Sequence, residues 1–121
     1  MCCRSSPANL CDEAPPGRQS RGGVMPIVAV FEFPGEDIAK YNRVFEVGGA
    51  PILEQPKRMS HICYQHEGTG FTVVDVWEDE ASFAAFGEVI GPATAAAGLD
   101  AKPQVFPLAG AISQAGARTT Y

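Results

Sequence analysis

The spacing of apolar residues changes along the chain, and the changes predict its first elements. Pro26 to Phe33 is rich in β-branched and aromatic residues and ends at a Pro-Gly pair, so it predicts a strand and a turn. Glu36 to Val47 carries apolar residues at helical spacing, and Gly48-Gly49 is expected to end this helix. Ala50 to Arg58 contains two prolines and predicts an irregular loop.

A hairpin comes next. Met59 to Gln65 and Phe71 to Glu78 predict two strands, and the Glu67–Gly70 segment between them has the composition of a tight turn. At the end of the second strand the apolar period shifts from two to between three and four. Asp79 is therefore predicted to cap a second helix, whose apolar stripe faces the sheet.

The end of the second helix and the last strand are marked by glycine and proline. Gly91-Pro92 predicts a kink or a restart, because proline has no N–H to donate within the helix. Gly98 is expected to end the helix. Gln104 to Ile112 predicts the last strand, and Pro107 places that strand at a sheet edge.

The predicted order is βαββαβ, which indicates an α+β, ferredoxin-like domain with two helices on one face of an antiparallel four-stranded sheet. We assign this domain to residues 25–113 and a flexible C-terminal tail to residues 114–121. The first strand has apolar residues on both of its faces, so the face without helices needs a cover. The same face of a second subunit is the simplest cover, and the sequence therefore predicts a homodimer that pairs into an α/β barrel.

Residues 1–24 are predicted to form a disordered N-terminal extension, because they are rich in Pro, Gly, Ser and Arg and contain few apolar residues. No continuous apolar stretch of a secretory signal is present. Cys2, Cys3 and Cys11 have neither a neighbouring His nor the spacing of a zinc site. The segment is either an upstream extension before a functional start at Met25-Pro26 or a floppy tail.

Charge and length exclude several classes of function. The formal net charge is −5, and no basic stripe is visible, so binding to nucleic acid is not expected. Apolar runs are far shorter than the ~20 residues of a membrane-spanning helix. A soluble, cytoplasmic protein without membrane partners is expected. A domain this small also gains stability from sharing a core with a partner.

Several segments carry a resemblance to a known family: Met25 to Phe33, Ser60-His61, Val73 to Glu80, and Gly91-Pro92-Ala93. Read in this order, the chain resembles the dimeric α/β-barrel superfamily. Within it, the chain is similar to small actinobacterial proteins of the antibiotic biosynthesis monooxygenase group. The resemblance covers Met25 to Ile112. It implies a ferredoxin-like dimer, and the superfamily includes cofactor-free oxygenases, haem-degrading enzymes, isomerases and cyclases.

The chain departs from its haem-degrading look-alikes. Those proteins have an aromatic residue and a His on the second helix and an Asn on the first strand, whereas this chain has Phe86 and Ala96 and no such Asn. Ala109-Gly110 also replaces a polar His-Asn pair of the last strand. No metal-ligand cluster or dinucleotide fingerprint is visible, so the sequence predicts no cofactor: neither haem, flavin nor metal.

His61 and Asp75 are the candidate catalytic residues. In one register of the predicted hairpin, His61 lies opposite Trp77 and Cys63 opposite Asp75, with all four on one face. A slip by one residue would instead pair His61 with Val76. In the first register a carboxylate and an imidazole point into the barrel and can share a proton-transfer task. The alternative is a satisfied strand histidine without a catalytic role.

The remaining candidates are side chains that could line a substrate site. An apolar cavity with few polar groups is typical of a site for a small hydrophobic molecule. We therefore expect a cofactor-independent enzyme that acts on an aromatic or polyketide-like compound by proton abstraction, as a monooxygenase, cyclase or isomerase. The alternative is a non-catalytic, ligand-binding or stress-associated dimer. The predicted substrate-binding residues are Trp77, Tyr64, Tyr41, Glu32 and Phe86.

Overall fold

The computed structural model describes residues 25–121, so the predictions for residues 1–24 and their cysteines lie outside the described residues. Within residues 26–108 the chain forms one compact unit. Its elements follow the predicted order, with one short helix added after the first. They are β1 (Ile27–Pro34), α1 (Ile38–Gly48), α2 (Ala50–Leu53), β2 (Arg58–Gln65), β3 (Gly70–Trp77), α3 (Glu80–Ala96) and β4 (Gln104–Pro107).

The four strands form one sheet in the order β2-β3-β1-β4, and every neighbouring pair is antiparallel. Ile27 lies opposite Trp77, and Phe33 lies opposite Phe71. This strand order is that of the ferredoxin-like fold, in which the two crossover helices return over the same side of the sheet. The predicted fold class is confirmed.

The core lies between the sheet and helices α1 and α3. Alternate residues of β1 are buried, whereas the residues between them are half-buried or exposed. This period of two places one apolar row under the helices and a second row on the opposite face, which the helices do not cover. The buried row of β1 consists of Ile27, Ala29, Phe31 and Phe33.

Both helices begin at an aspartate whose side chain satisfies a free N–H of the first turn. Asp37 accepts a hydrogen bond from the N–H of Ala39 at 2.8 Å, and Asp79 accepts one from the N–H of Ser82 at 2.7 Å. After α1, Gly49 has a φ of 66°, a left-handed conformation that ends a helix at little cost for glycine. The predicted cap at Asp79 is confirmed.

Two segments differ from the prediction. Residues 50–53 form the short helix α2 where an irregular loop was predicted, because Pro51 lies in the first turn, where no intrahelical N–H is required. Helix α3 continues through Pro92 without a restart. Two residues after the proline, the hydroxyl of Thr94 donates to the carbonyls of Ile90 and Gly91.

The predicted last strand is shorter than expected. β4 ends at Pro107, and the N–H of Leu108 donates to the carbonyl of Pro26 at 2.9 Å. Residues 109–121 instead contain a separate hairpin of β5 (Gly110–Ile112) and β6 (Arg118–Thr120), where the sequence predicted the end of a strand and a flexible tail. Gly116, with a φ of 94°, permits the turn.

No helix within residues 25–121 has both the length and the apolar character that crossing a membrane requires.

Candidate active site

The register of the β2–β3 hairpin decides which side chains meet, and it differs from the predicted register. His61 lies directly opposite Asp75, rather than opposite Trp77. The turn is centred one residue earlier than predicted, because Gly70 takes a φ of 106° and its carbonyl accepts the N–H of His66 at 2.9 Å. An earlier centre moves every cross-strand partner by two residues. These residues therefore still share one face, but the predicted pairs are wrong. The shared face also lies under the helices and does not point into the predicted barrel.

Asp75, His61 and Tyr41 form a chain of hydrogen bonds beneath the helices. His61 Nδ1 lies 2.5 Å from Asp75 Oδ1, and His61 Nε2 lies 2.8 Å from the hydroxyl of Tyr41. β3 supplies the carboxylate, β2 the imidazole and α1 the phenol. The phenol and imidazole rings are also nearly parallel, with centroids 6.0 Å apart.

The two hydrogen bonds indicate which ring nitrogen of His61 carries the proton and which keeps its lone pair. Asp75 is only 2% exposed, and a buried carboxylate accepts hydrogen bonds, so His61 Nδ1–H donates to it. His61 Nε2 then keeps its lone pair and accepts the O–H of Tyr41. An imidazole oriented in this way by a carboxylate can take a proton at Nε2, which is the general-base arrangement of many hydrolases on other folds.

This hydrogen-bonded chain lies on the wall of a pocket of about 50 Å³ between the sheet and the helices. Most of the wall is apolar, and aromatic rings from β1, β3 and both long helices supply much of it. The predicted residues Tyr41, His61, Asp75 and Phe86 meet here. The other lining side chains are Phe31, Phe33, Val44, Phe45, Ile52, Arg58, Phe71, Val73, Ile90, Thr94 and Leu99.

Burial and charge keep the phenol of Tyr41 neutral. Burial is the largest cause that raises the pKa of Tyr41, and the nearby acidic groups of Cys63 and Asp75 raise it further, while Arg58 opposes them. Burial also raises the pKa of the Cys63 thiol, which therefore stays protonated at neutral pH. The site thus contains a neutral hydroxyl next to the imidazole.

Arg58 and Thr94 line the pocket and were missed by the sequence reasoning. The guanidinium of Arg58 lies 5.8 Å from the ring centroid of Trp77 and 5.6 Å from that of Phe86, a cation–π arrangement. Its position at the start of a strand that contains a candidate base could have drawn attention to it. Thr94 was detectable only as a polar residue within an apolar helical stripe.

Three of the predicted substrate-binding residues lie elsewhere. Trp77 is fully buried against Phe86, with ring centroids 4.9 Å apart, and belongs to the core rather than to the pocket wall. Tyr64 and Glu32 point to the face without helices, because they alternate with the pocket residues of their strands.

Glu32 takes part in a second polar cluster on that open face. The hydroxyl of Thr72 donates to Glu32 Oε1 at 3.1 Å and lies 2.7 Å from Nε2 of His66. The sheet separates this cluster from the His61 site, so Glu32 is not a polar group of the pocket. His66, next to the hairpin turn, thus has the Thr72 hydroxyl as its hydrogen-bond partner.

A larger cavity of about 350 Å³ adjoins the pocket. The two spaces share four wall residues: Phe31, Ile90, Thr94 and Leu99. Its remaining walls come from the small residues of α3 and from the segment that leads into β4. Among residues 25–121, no group of three His, Cys, Asp or Glu side chains is arranged to hold a metal ion.

No protein-family model matches the chain, and no curated protein matches it either. Solved structures do resemble it. MupZ from Pseudomonas fluorescens is 12% identical, with a TM-score of 0.56 over 79% of this chain and 71% of that one. A protein from Shewanella loihica, described provisionally as a monooxygenase, is 18% identical and has a TM-score of 0.50; the match covers 70% of this chain and 95% of that one. SnoaB, a cofactor-independent oxygenase from Streptomyces nogalater, is 20% identical and has a TM-score of 0.46; the match covers 68% of this chain and 89% of that one.

The first two likenesses establish a common architecture. Together with the strand order, they show that the chain has the ferredoxin-like fold that the predicted resemblance implies. Identities this low carry no information about substrate or reaction, because one fold supports many activities.

Proposed function

We propose that the protein is a cofactor-independent enzyme that removes a proton from a small hydrophobic molecule. The observation that carries this proposal is the chain of Asp75, His61 and Tyr41 on the wall of an apolar pocket. A carboxylate that orients an imidazole is of little use to packing alone, whereas it is the usual support of a general base. The product of proton removal is a carbanion or phenolate that can be oxygenated, cyclised or isomerised.

His61 Nε2 is the atom that would accept the proton. In the structure this atom is bonded to the Tyr41 hydroxyl, so an acidic C–H or O–H of a substrate would replace Tyr41 or pass its proton through Tyr41. Asp75 would hold the imidazole in the tautomer with the free Nε2 lone pair and stabilise the imidazolium once it forms. Arg58, at the same pocket, would attract the negative charge that develops on the substrate.

The size of the pocket constrains how a substrate binds. About 50 Å³ is well below the ~300 Å³ or more of an ordinary small-molecule site, so a ring system does not fit beside His61 without movement. The adjoining cavity of about 350 Å³ is large enough for such a molecule. We infer that the body of the substrate occupies this larger cavity and that rotation of Ile90 and Leu99 admits its reactive end.

The test compares the two histidines of the chain. A panel of phenolic and polyketide-like aromatics is incubated with the purified protein, and dioxygen uptake and product mass are measured. His61→Gln should lower the rate by about 10²- to 10⁴-fold, the usual effect of losing a general base. His66→Gln is the matched control, because it removes an imidazole from the opposite face of the sheet and should leave the rate unchanged.

Equal rates for the wild type and His61→Gln with every active compound would rule out the base assigned here. Asp75→Asn adds a second readout, since it keeps the shape of the side chain but no longer fixes the imidazole tautomer. A lower rate constant with little change in KM is expected for that variant.

A non-catalytic ligand-binding role is the second candidate, and one observation favours it. The lone pair of His61 Nε2 is already bonded to Tyr41, and the pocket is small, so the resting site presents no free base to a bound molecule. A protein of this kind would bind members of the same panel without altering them. Native mass spectrometry that finds bound compounds with unchanged masses, and no dependence of their fate on His61, would select this function.

We further propose that the protein is a homodimer paired through the open face of its sheet. Three large apolar side chains on this face are half exposed: Ile62 at 56%, Tyr64 at 53% and Phe106 at 50%. Ile62 and Tyr64 lie on β2 and Phe106 lies on β4, the two edge strands of the sheet. The half-buried valines of the two strands between them, Val28, Val30, Val74 and Val76, face the same side. A second copy presents the same apolar surface and can cover it symmetrically. A cytoplasmic location stays a prediction from the sequence.

A further inference from the structure

One polar residue lies at the junction between the pocket beside His61 and the larger cavity. Within residues 25–121 the two spaces share four wall residues, and three of these, Phe31, Ile90 and Leu99, are apolar. The fourth is Thr94 of helix α3, which is only 7% exposed. A molecule that extends from the cavity towards His61 therefore meets the hydroxyl of Thr94 at the junction.

The hydrogen bonds of Thr94 determine what its hydroxyl can offer to a bound molecule. The O–H donates to the carbonyl of Ile90 at 3.1 Å and to that of Gly91 at 2.9 Å, so its one proton is in use. Among residues 25–121, no group donates a hydrogen bond to this oxygen, so its capacity to accept one is free. Towards a ligand, Thr94 is an acceptor only.

Helix stability does not account for the buried hydroxyl of Thr94. In an α-helix the carbonyls of Ile90 and Gly91 accept the backbone N–H groups four residues later, so the side-chain bonds add little to α3. Valine has nearly the same shape as threonine and would occupy this position without burying a polar atom. A hydroxyl at the junction therefore favours a role in recognition.

Arg58 has the opposite hydrogen-bonding character in the same pocket. Its guanidinium donates to the carbonyls of Ile52 and Leu53, both at 2.9 Å, and its other N–H groups remain free. Arg58 lines the pocket but not the larger cavity. Because Arg58 can only donate and Thr94 can only accept, the two side chains recognise different groups of one molecule.

We propose that Thr94 is a specificity-determining residue, which selects molecules that carry a hydroxyl or N–H donor on the part lying at the junction. The assignment rests on the proposed function, because that function places the body of the substrate in the cavity and its reactive end at His61. An acceptor oxygen on the reactive end would bind Arg58, and the donor on the neighbouring part would bind the Thr94 oxygen. Analogues that lack this donor should bind less tightly.

α-Naphthol and the dihydroxynaphthalenes that add a second hydroxyl to it are the probes. One hydroxyl can approach His61, and the second samples different positions along the junction. Binding is measured by calorimetry under nitrogen, which prevents oxidation of the compounds. The wild type should bind at least one dihydroxynaphthalene about three- to tenfold more tightly than α-naphthol, the usual effect of one neutral hydrogen bond.

Variants of Thr94 test whether this preference comes from its hydroxyl. Thr94→Val removes the acceptor and keeps the shape, so the preference should disappear, whereas Thr94→Ser keeps the hydroxyl and should retain it. Thr72→Val is the matched control, because it removes a buried hydroxyl from the opposite face of the sheet and should leave the preference unchanged. If Thr94→Val does not fold, Thr94→Ala removes the same group.

A wild type that prefers none of the dihydroxynaphthalenes would overturn the role of Thr94. So would a Thr94→Val variant that weakens the binding of α-naphthol and of the preferred compound by the same factor, because a merely structural residue has that effect. A preference lost in Thr94→Val and kept in Thr94→Ser supports the role.

Turnover of the same compounds in air is measured separately from binding, so the two proposals can fail independently. If the preference depends on Thr94 but no compound is deprotonated or oxidised, recognition by Thr94 is supported and the proposed function fails. If turnover depends on His61 while no preference depends on Thr94, the proposed function is supported and the role of Thr94 fails.

Discussion

Asp75 is a carboxylate in an almost fully buried position, and its hydrogen bond to His61 is what makes that position tolerable. The bond also decides the tautomer of the ring. We expect His61 to carry its proton on Nδ1 and to accept the Tyr41 hydroxyl at Nε2. Long-range ¹H–¹⁵N correlation spectra distinguish the two tautomers directly. An Nε2–H tautomer at neutral pH would contradict the assigned direction of the Tyr41 bond.

The ionisation of Tyr41 is expected to make the stability of the protein depend on pH in the alkaline range. Its folded-state pKa is raised above the unfolded value of about 10, mainly by burial, so the neutral phenol contributes stability below that pH and loses it as the pH rises further. We expect the free energy of unfolding to fall as the pH rises above about 10 and through the raised folded-state pKa. Urea unfolding at each pH measures the free energy of unfolding, and the phenolate absorbance measures the ionisation of the tyrosine side chains.

Tyr41→Phe is the control for this alkaline loss. The variant should be less stable at neutral pH by about 1 kcal/mol, because His61 loses a hydrogen-bond donor. It should also show a smaller decrease in stability at alkaline pH than the wild type. An identical decrease in both proteins would assign the effect to other tyrosines.

The sequence was sufficient to select His61, Asp75 and Tyr41 as candidates but not to connect them. Alternation along β2 and β3 predicts which side chains share a face, whatever the register. Which residues lie opposite each other depends on the conformation of the turn, in which both Gly68 and Gly70 have a positive φ, and the glycine pattern alone does not specify that conformation. The approach of Tyr41 depends on how α1 lies on the sheet, and that is decided by the packing of the whole core.

At the level of elements, two helical glycines have opposite environments and predict opposite effects. A Cβ added at Gly48 would lie 1.9 Å from the side chain of Ile52, which is fully buried and cannot move aside. A Cβ at Gly87 would meet nothing within 4 Å. Gly48→Ala should cost about 1–3 kcal/mol by overpacking. Gly87→Ala should raise stability by about 0.5–1 kcal/mol through helix propensity. Chemical denaturation of both variants measures the two changes in the free energy of unfolding. Equal changes would show that the α1–α2 junction is not tightly packed.

The ionised side chain of Asp79, which caps helix α3, is expected to make the stability of the protein depend on pH in the acidic range. Its pKa is lowered chiefly by the hydrogen bonds from Ser82, with a smaller contribution from Lys57. Because the folded pKa lies below the unfolded one, the stabilisation is complete above about pH 4 and is lost as the pH falls through the folded value. Asp79→Asn keeps a capping side chain without the titration, so its stability should fall less on acidification. Thermal melts across this range, compared with Asp79→Ala, distinguish the cap from the charge.

The elements themselves were largely readable from the sequence, with a few exceptions. Strands, both long helices and the Asp79 cap follow from local periodicity and capping chemistry, which act within a few residues. Helix α2 uses the first-turn position where proline is tolerated, whereas the passage of α3 through Pro92 and the β5–β6 hairpin depart from the local expectation. The turn of the β5–β6 hairpin uses the positive φ that glycine permits at position 116.

The two faces of the sheet have different tasks in the whole molecule. The helix-covered face holds the core and the candidate site, whereas the open face holds apolar side chains and the cluster of Glu32, Thr72 and His66. A monomer would leave this apolar surface in water, so dimerisation would stabilise the sheet beneath the site without adding a residue to the pocket. Changes on the open face should therefore alter assembly more than chemistry.

Ile62→Asp provides the decisive test of assembly. The charge would be placed within the proposed interface, where burying it without a partner costs several kcal/mol, enough to dissociate a dimer. Leu53→Asp is the control, because Leu53 is equally exposed, at 59%, but lies on α2. Sedimentation equilibrium should find a dimer for the wild type and Leu53→Asp, and a monomer for Ile62→Asp. An interface above about 1,000 Å² is expected. A wild type that is monomeric at micromolar concentration would eliminate the paired barrel while leaving the pocket and its base as described.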